Sequence, residues 1–287
     1  MFAQNSNSIN SQILHLDFRN LSDSIHQLPE EALSFEGIDY PQLHRVIGGT
    51  AISFTLLNTY LNTSYWNGSS GFISKDEVGK YGYIDKAGYF YLSNLMTHIL
   101  SASLESANMD YEDTYIYGAL GAGILGTYLE IRDGYSNDRV FGRSDFVSTL
   151  LGSGYALSQY YFPILKEIQP RISYVPSGKG GRGDRVTPFN DLLGQKYWLG
   201  FRLNKLLPEK IAEYWPSFLM ISIGTGISGY DYTNVKNDIY LALDFDAEEI
   251  PLHGSFWQFI KNTLNYFHFP LPGIRVTNGI AFFGLCY

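Results

Sequence analysis

The sequence has a single cysteine, Cys286, beside its last residue. One thiol excludes intramolecular disulfides, cysteine-rich zinc sites and iron–sulfur ligation by this chain alone. Its place in an apolar stretch reads as that of a small hydrophobe, and it is not the N-terminal cysteine that a lipid anchor needs. There is no basic block either. Lys and Arg number 20 against 28 Asp and Glu, for a net charge of -8. That balance argues against nucleic acid as partner and against a polybasic grip on anionic lipid. The apolar run 45–61 is shorter than the about 20 residues that a membrane span usually needs and carries Thr55, Asn58 and Thr59, so that a buried core helix and a span both stay open. The opening MFAQNSNSINSQ lacks the basic and apolar regions of a full secretory signal. It resembles the tail of one, however, with Ala3 before a polar start, and the expectation is export. No nucleophile–His–acid constellation stands out. Ser177 to Asp184, SGKGGRGD, lacks the Walker spacing, so no phosphate site and no cofactor are expected.

Aromatic residues are plentiful, at 16%, with 23 Tyr, 19 Phe and 4 Trp, while charged residues make up only 17%. Tyr and Trp join an apolar body to a polar tip, which suits aromatic cores and membrane boundaries alike. Apolar segments predict helices over 45–61, from about Asp85 to Leu104, over 114–131 and over 146–165. Pro29-Glu30-Glu31 can open an earlier helix. Gly118, Gly121, Gly123 and Gly126 weaken the third helix. Such a run makes sense where another backbone packs close. His98 inside the second helix reads as a core or rim residue. Residues 170–195 read as a loop and 196–214 as an amphipathic helix. Beyond Trp215-Pro216 the pattern turns to strand. Ile239, Leu241, Leu243 and Phe245 alternate, and Asn278-Gly279 marks a hairpin. The fold class is therefore mainly α (α+β): an apolar bundle of four to five helices with a small C-terminal antiparallel β portion. The division is a polar segment 1–44, a helical core 45–169, a loop 170–195, and a C-terminal helix with strands 196–287.

Between the third and fourth helices lies a compact polar knot containing Glu130, Arg132, Asp133, Ser136, Asp138, Arg139, Arg143, Ser144 and Asp145. Charges set between apolar elements are costly unless they pair, bind something or face water. Glu130 and Asp133 share a helix face at i,i+3. Glu130, Asp133 and Asp145 are the candidate catalytic residues, and also the candidate oxygen ligands for a divalent metal. Lys86, Asp85, Arg132 and Ser144 are candidates for ligand binding. In a purely structural role, Lys86 pairs with Glu130 or Asp133, and Asp145 caps the fourth helix.

Asp85-Lys86-Ala87-Gly88, Glu130-x-x-Asp133-Gly134, Gly142-x-Ser144-Asp145 and Gly152 together resemble the YfiM-like family of predicted periplasmic lipoproteins, a bacterial envelope domain of unknown function. The tail from Phe267-His268-Phe269-Pro270 to Gly284-Leu285 is similar to the long Bacteroidetes-type version, so that the resemblance covers about 45–287. The motif order is distantly similar to VanZ-like membrane proteins. Tyr89 stands where the family pattern has His, and Thr149 where it has Asn. If those positions are catalytic in the family, activity here is lost or altered. The resemblance implies a cell-envelope protein, periplasmic or associated with the outer membrane. Three functions follow: a non-catalytic accessory or structural subunit at a membrane, an enzyme acting on a lipid or cell-wall precursor at the membrane surface, or a soluble lipid-binding protein. The expected partners are membrane lipid or another envelope protein.

Overall fold

A computed structural model describes residues 37–66, 68–76, 79, 81–178, 188, 190–229 and 234–287. The helix expected at Pro29 and most of the Ser177–Asp184 stretch lie outside the described residues. Four long helices come first: α1 (Tyr40–Ser64), α2 (Ile84–Glu105), α3 (Tyr111–Gly134) and α4 (Arg143–Tyr161). A six-stranded sheet follows: β1 (Ile168–Tyr174), β2 (Gln195–Phe201), β3 (Leu219–Ser228), β4 (Lys236–Phe245), β5 (Leu271–Arg275) and β6 (Ala281–Cys286). Two four-residue helices, α5 (Leu203–Leu206) and α6 (Glu209–Ala212), separate β2 from β3, and α7 (Ser255–Leu264) separates β4 from β5. The architecture is α+β.

Local chemistry sets two of the helix starts. The Asp39 carboxylate accepts from the Gln42 amide at 2.9 Å, with Pro41 in the first turn of α1. The Asp110 carboxylate accepts from the Glu112 amide at 3.0 Å, and Glu112 and Asp113 add first-turn acids to α3. α2 is the hub, packed on both α3 and α4 and reaching β1, β2 and β3. Small residues make that closeness possible. A Cβ on Gly118 would stand 2.8 Å from the Thr97 carbonyl oxygen, and one on Gly152 would stand 2.1 Å from that of Phe90. Gly152→Ala therefore forces α4 off α2. The expected loss is about 1–3 kcal/mol by chemical denaturation, as for other overpacked interiors; an unchanged midpoint would show that the helices yield freely.

The strands form an antiparallel meander in the order β1-β2-β3-β4-β5-β6. Two expectations fail here. Residues 170–174, read as loop, belong to β1. Pro170 is tolerated because β1 is an edge strand: the Ile172 amide points away from β2 to the Tyr266 carbonyl, and Pro170 shares that orientation. Residues 196–201, read as helix, form β2, because Tyr197, Trp198 and Phe201 fit a pleated surface between β1 and β3. Only the short α5 and α6 remain helical in that stretch. The C-terminal hairpin forms as expected, and Asn278 (φ 53°) and Gly279 (φ 94°) take the left-handed conformations that this turn requires.

The sheet's two faces are reversed from the usual arrangement. Ile239, Leu241, Leu243 and Phe245 do share a face, but Ile239 and Leu241 are exposed, while Asp238, Tyr240, Ala242 and Asp244 face inward and are buried. The inner face packs Trp198, Tyr240, Ala242 and Cys286 together. One corner of the outer face is covered, where Ile227 and Tyr197 meet Tyr81 and Ile84 at the start of α2.

Candidate functional site

The polar knot forms where the start of α2, the end of α3 and the start of α4 converge. Asp85, Lys86 and Tyr89 come from α2, Glu130 and Asp133 from α3, and Asp145 from α4. Lys86 Nζ lies 2.6 Å from Asp145 Oδ1 and 2.7 Å from Asp85 Oδ2. Burial pulls the Lys86 pKa down, but the two carboxylates outweigh it and hold the ammonium above the usual lysine range. One ammonium shared between two acids does not fully compensate either. Burial pushes the Asp145 carboxyl up to about 6 despite its contact with Lys86.

Glu130 is fully buried, and its Oε2 accepts from the Gly142 amide at 3.1 Å, so this α3 side chain serves the N-terminus of α4. The nearby Tyr89 hydroxyl favours its ionised form. Burial dominates nonetheless, reinforced by Asp145 and Asp133, and pushes Glu130 up to about 8. Asp133 accepts from Trp66 Nε1 at 2.6 Å and lies 3.4 Å from Arg139 Nη1, whose guanidinium sits over the Tyr65 ring.

The structure thus corrects several sequence expectations. Lys86 pairs with Asp145 and Asp85 rather than with Glu130 or Asp133, because the first turns of α2 and α4 abut. Asp145 does not cap α4. Gly142 occupies the N-cap position, and Asp145 lies inside the first turn, turned to Lys86. Glu130, Asp133 and Asp145 have different partners. Among the described residues no group of three or more His, Cys, Asp or Glu is placed to hold a metal ion. Arg132 leaves the knot for the Asn62 side chain and the Trp66 ring, and Ser144 Oγ donates to Asp76 at 2.6 Å. Tyr89, at the expected His position, contacts Glu130, whereas Thr149 packs against Gly126.

His98 is a core residue, bonded to Gln159 at 2.9 Å and lowered by burial to about 4. A second buried polar centre, inside the sheet, escaped sequence reasoning. Asp244 Oδ1 lies 3.1 Å from Arg171 Nη1, and its Oδ2 lies 2.8 Å from His268 Nδ1 and 2.7 Å from Ser222 Oγ. Its members come from β1, β3, β4 and the segment before β5. The one available signal was a charged residue at alternate positions of β4.

The raised acid in the knot has a measurable consequence. Unfolded, Glu130 titrates near 4.5, and folded near 8. The folded state thus holds a proton that the unfolded state releases, so the Glu130 contribution to stability falls as pH rises from about 4.5 to about 8. Glu130→Gln keeps an acceptor for Gly142 without the charge. The variant is expected to match the native protein near pH 4.5 and to exceed its stability above pH 8 by on the order of 4–5 kcal/mol. Paired denaturation curves across that range check this; parallel pH profiles would place Glu130 in an ionised, compensated state.

Residues 70–161 match the model of a family described as predicted periplasmic lipoprotein (DUF2279), a stretch of about a third of the chain that holds the whole knot, α2, α3 and α4. The class defined here is thus a helical domain built round a buried acid–lysine cluster. Over residues 70–161 the chain is similar to the predicted periplasmic lipoprotein family. The match supports a place in the cell envelope and ends before the sheet, short of the wider span of 45–287 that the resemblance suggested. No curated protein and no solved structure matches the chain.

Proposed function

We propose that the protein is a non-catalytic accessory or structural protein of the cell envelope, associated with a membrane through the outside of its helical bundle. The observation that carries this reading is the polarity of the bundle. Ile52 and Leu56 of α1, Leu120 and Ile124 of α3 and Leu150 and Leu151 of α4 are exposed, whereas Ser93, Asn94, Thr97, Ser101, Thr114, Thr149 and Ser153 are buried. Apolar surface on three helices, over an interior rich in hydroxyls and amides, favours an apolar surrounding. Among the described residues no helix is long and apolar enough to cross a membrane. The association is therefore with a membrane face, as for amphipathic surface elements. In the knot, Lys86 is paired with Asp85 and Asp145, and Asp133 with Trp66 and Arg139, which suits a structural cluster.

Membrane fractionation with a carbonate wash, together with flotation of the purified protein on vesicles, tests the reading. Co-flotation is expected; protein remaining wholly at the bottom of the gradient would overturn it. A membrane-surface enzyme is favoured by one observation, the Glu130 carboxyl that keeps its proton near neutral pH and so resembles a poised general acid. Under that reading Glu130→Gln abolishes turnover of a lipid or cell-wall precursor while leaving flotation intact.

A further inference from the structure

We infer that the uncovered part of the sheet's outer face is a second lipid-facing surface, seated shallowly in the acyl region of one leaflet. The inference rests on the membrane association proposed above and names a different part of the molecule as partner to the lipid. Register places Leu199, Ile223, Leu241, Ile274 and Phe282 in one row across five strands. Four of the five are exposed, Phe282 by 82%. Flanking rows on the same face hold Phe201, Ile221 and Leu243 on one side and Tyr197, Thr225 and Ile239 on the other, with no charged side chain among them.

The opposite face of the same strands carries Arg171, Ser173, Ser222, Asp238 and Asp244, all buried. A sheet whose outer face met water would gain by turning the aliphatic rows inward, since each buried aliphatic side chain is worth about 1.5–3 kcal/mol. Apolar-out, polar-in alternation is the pattern of strands that face lipid. The row also continues an apolar contact already made, the corner where Ile227 and Tyr197 meet α2. Its limits suit a leaflet. Asn237 stands exposed at one end of the strands with Lys236 beside it on the other face, and Tyr214 and Phe218 stand exposed at the other end, where aromatic rings suit a wet boundary.

Lipid is favoured over a second copy because the uncharged surface is not confined to this face. The outer sides of α1, α3 and α4 share it, and a two-fold contact would cover only one of these surfaces. The seat is shallow because, among the described residues, β6 pairs only with β5 and leaves an open edge, which hydrocarbon does not tolerate at depth.

Leu241→Cys and Lys236→Cys, each carrying an environment-sensitive fluorophore, test the inference; Cys286 is buried and stays unlabelled. The probe is a phosphatidylcholine vesicle with brominated acyl chains. The label at 241 is expected to be quenched at least threefold more than that at 236, and Ile223→Glu with Leu241→Glu to weaken vesicle partition at least tenfold. Protein that floats with vesicles while both labels quench equally would overturn the inference and leave the bundle as the membrane contact. A label at 241 shielded without lipid, in a protein that elutes as a dimer, would assign the face to a second copy. Failure of every variant and of the native protein to float would sink the association itself.

Discussion

Asp244→Ala is expected to cost about 3–5 kcal/mol of stability, the largest effect of any single substitution at a charged residue here. Asp244 and Arg171 are both fully buried. The carboxylate faces Arg171, His268 and Ser222 and also accepts from the amides of Phe245 at 2.8 Å and Phe269 at 3.0 Å. Its removal leaves the Arg171 guanidinium hydrogen-bonded only to neutral groups, the Phe245 carbonyl, the Asn265 amide oxygen and the Met220 sulfur, with Asp246 as a more distant charge. A buried charge stripped of its counter-charge costs far more than the net worth of the pair, so Arg171→Met added to Asp244→Ala should recover part of the loss. The pH dependence has a definite sign. Burial raises the Asp244 pKa, but Arg171 and His268 outweigh it and hold the carboxyl below 3.8. Its stabilisation is then present above about pH 3.8 and disappears as pH falls through the lower folded value. Denaturation of the native protein and of Asp244→Asn at pH 7 and in acid should show a gap that narrows in acid. A gap of less than 1 kcal/mol at pH 7 would mean that the centre adds little.

The second large effect is at Lys86. Lys86→Met leaves Asp85 and Asp145, both largely buried, facing each other without a cation. A loss of about 3 kcal/mol is expected where Asp145 is ionised, shrinking as pH falls towards about 6, because Asp145 without the lowering effect of Lys86 takes up its proton above that value. Asp145→Asn in the Lys86→Met background should cost little more than Lys86→Met alone. Double-mutant cycles then give a larger coupling of Lys86 with Asp145 than with Glu130. The reverse order would restore the pairing expected from spacing alone.

Much of the knot was legible in the chain. Glu130, Asp133, Asp145 and Lys86 do converge, since polar residues between two small-residue helices have little choice but to cluster where those helices meet. Which acid meets Lys86 was not legible. Helical spacing relates residues within one helix, and the Lys86–Asp145 contact depends on how the first turns of α2 and α4 abut. Placing Asp145 at the N-cap missed by three residues, because Gly142 has no side chain to signal a cap and the acid filling that role, Glu130, arrives from another helix.

In the sheet, periodicity located β4 and the Asn278-Gly279 turn, because alternation and turn chemistry are local properties of the chain, whereas Ser217–Ile227 read equally as a strand or a short apolar helix. It missed β1 and β2, whose formation depends on partners: Pro170 is harmless only on an outer edge, and Tyr197-Trp198 become strand only between β1 and β3. Alternation shows that Ile239, Leu241, Leu243 and Phe245 lie together; it is silent on which way they turn. That direction was settled by long-range contacts. Arg171, His268 and Asp244, drawn from three segments, satisfy one another inside the sheet, and so the aliphatic rows are left on the outside.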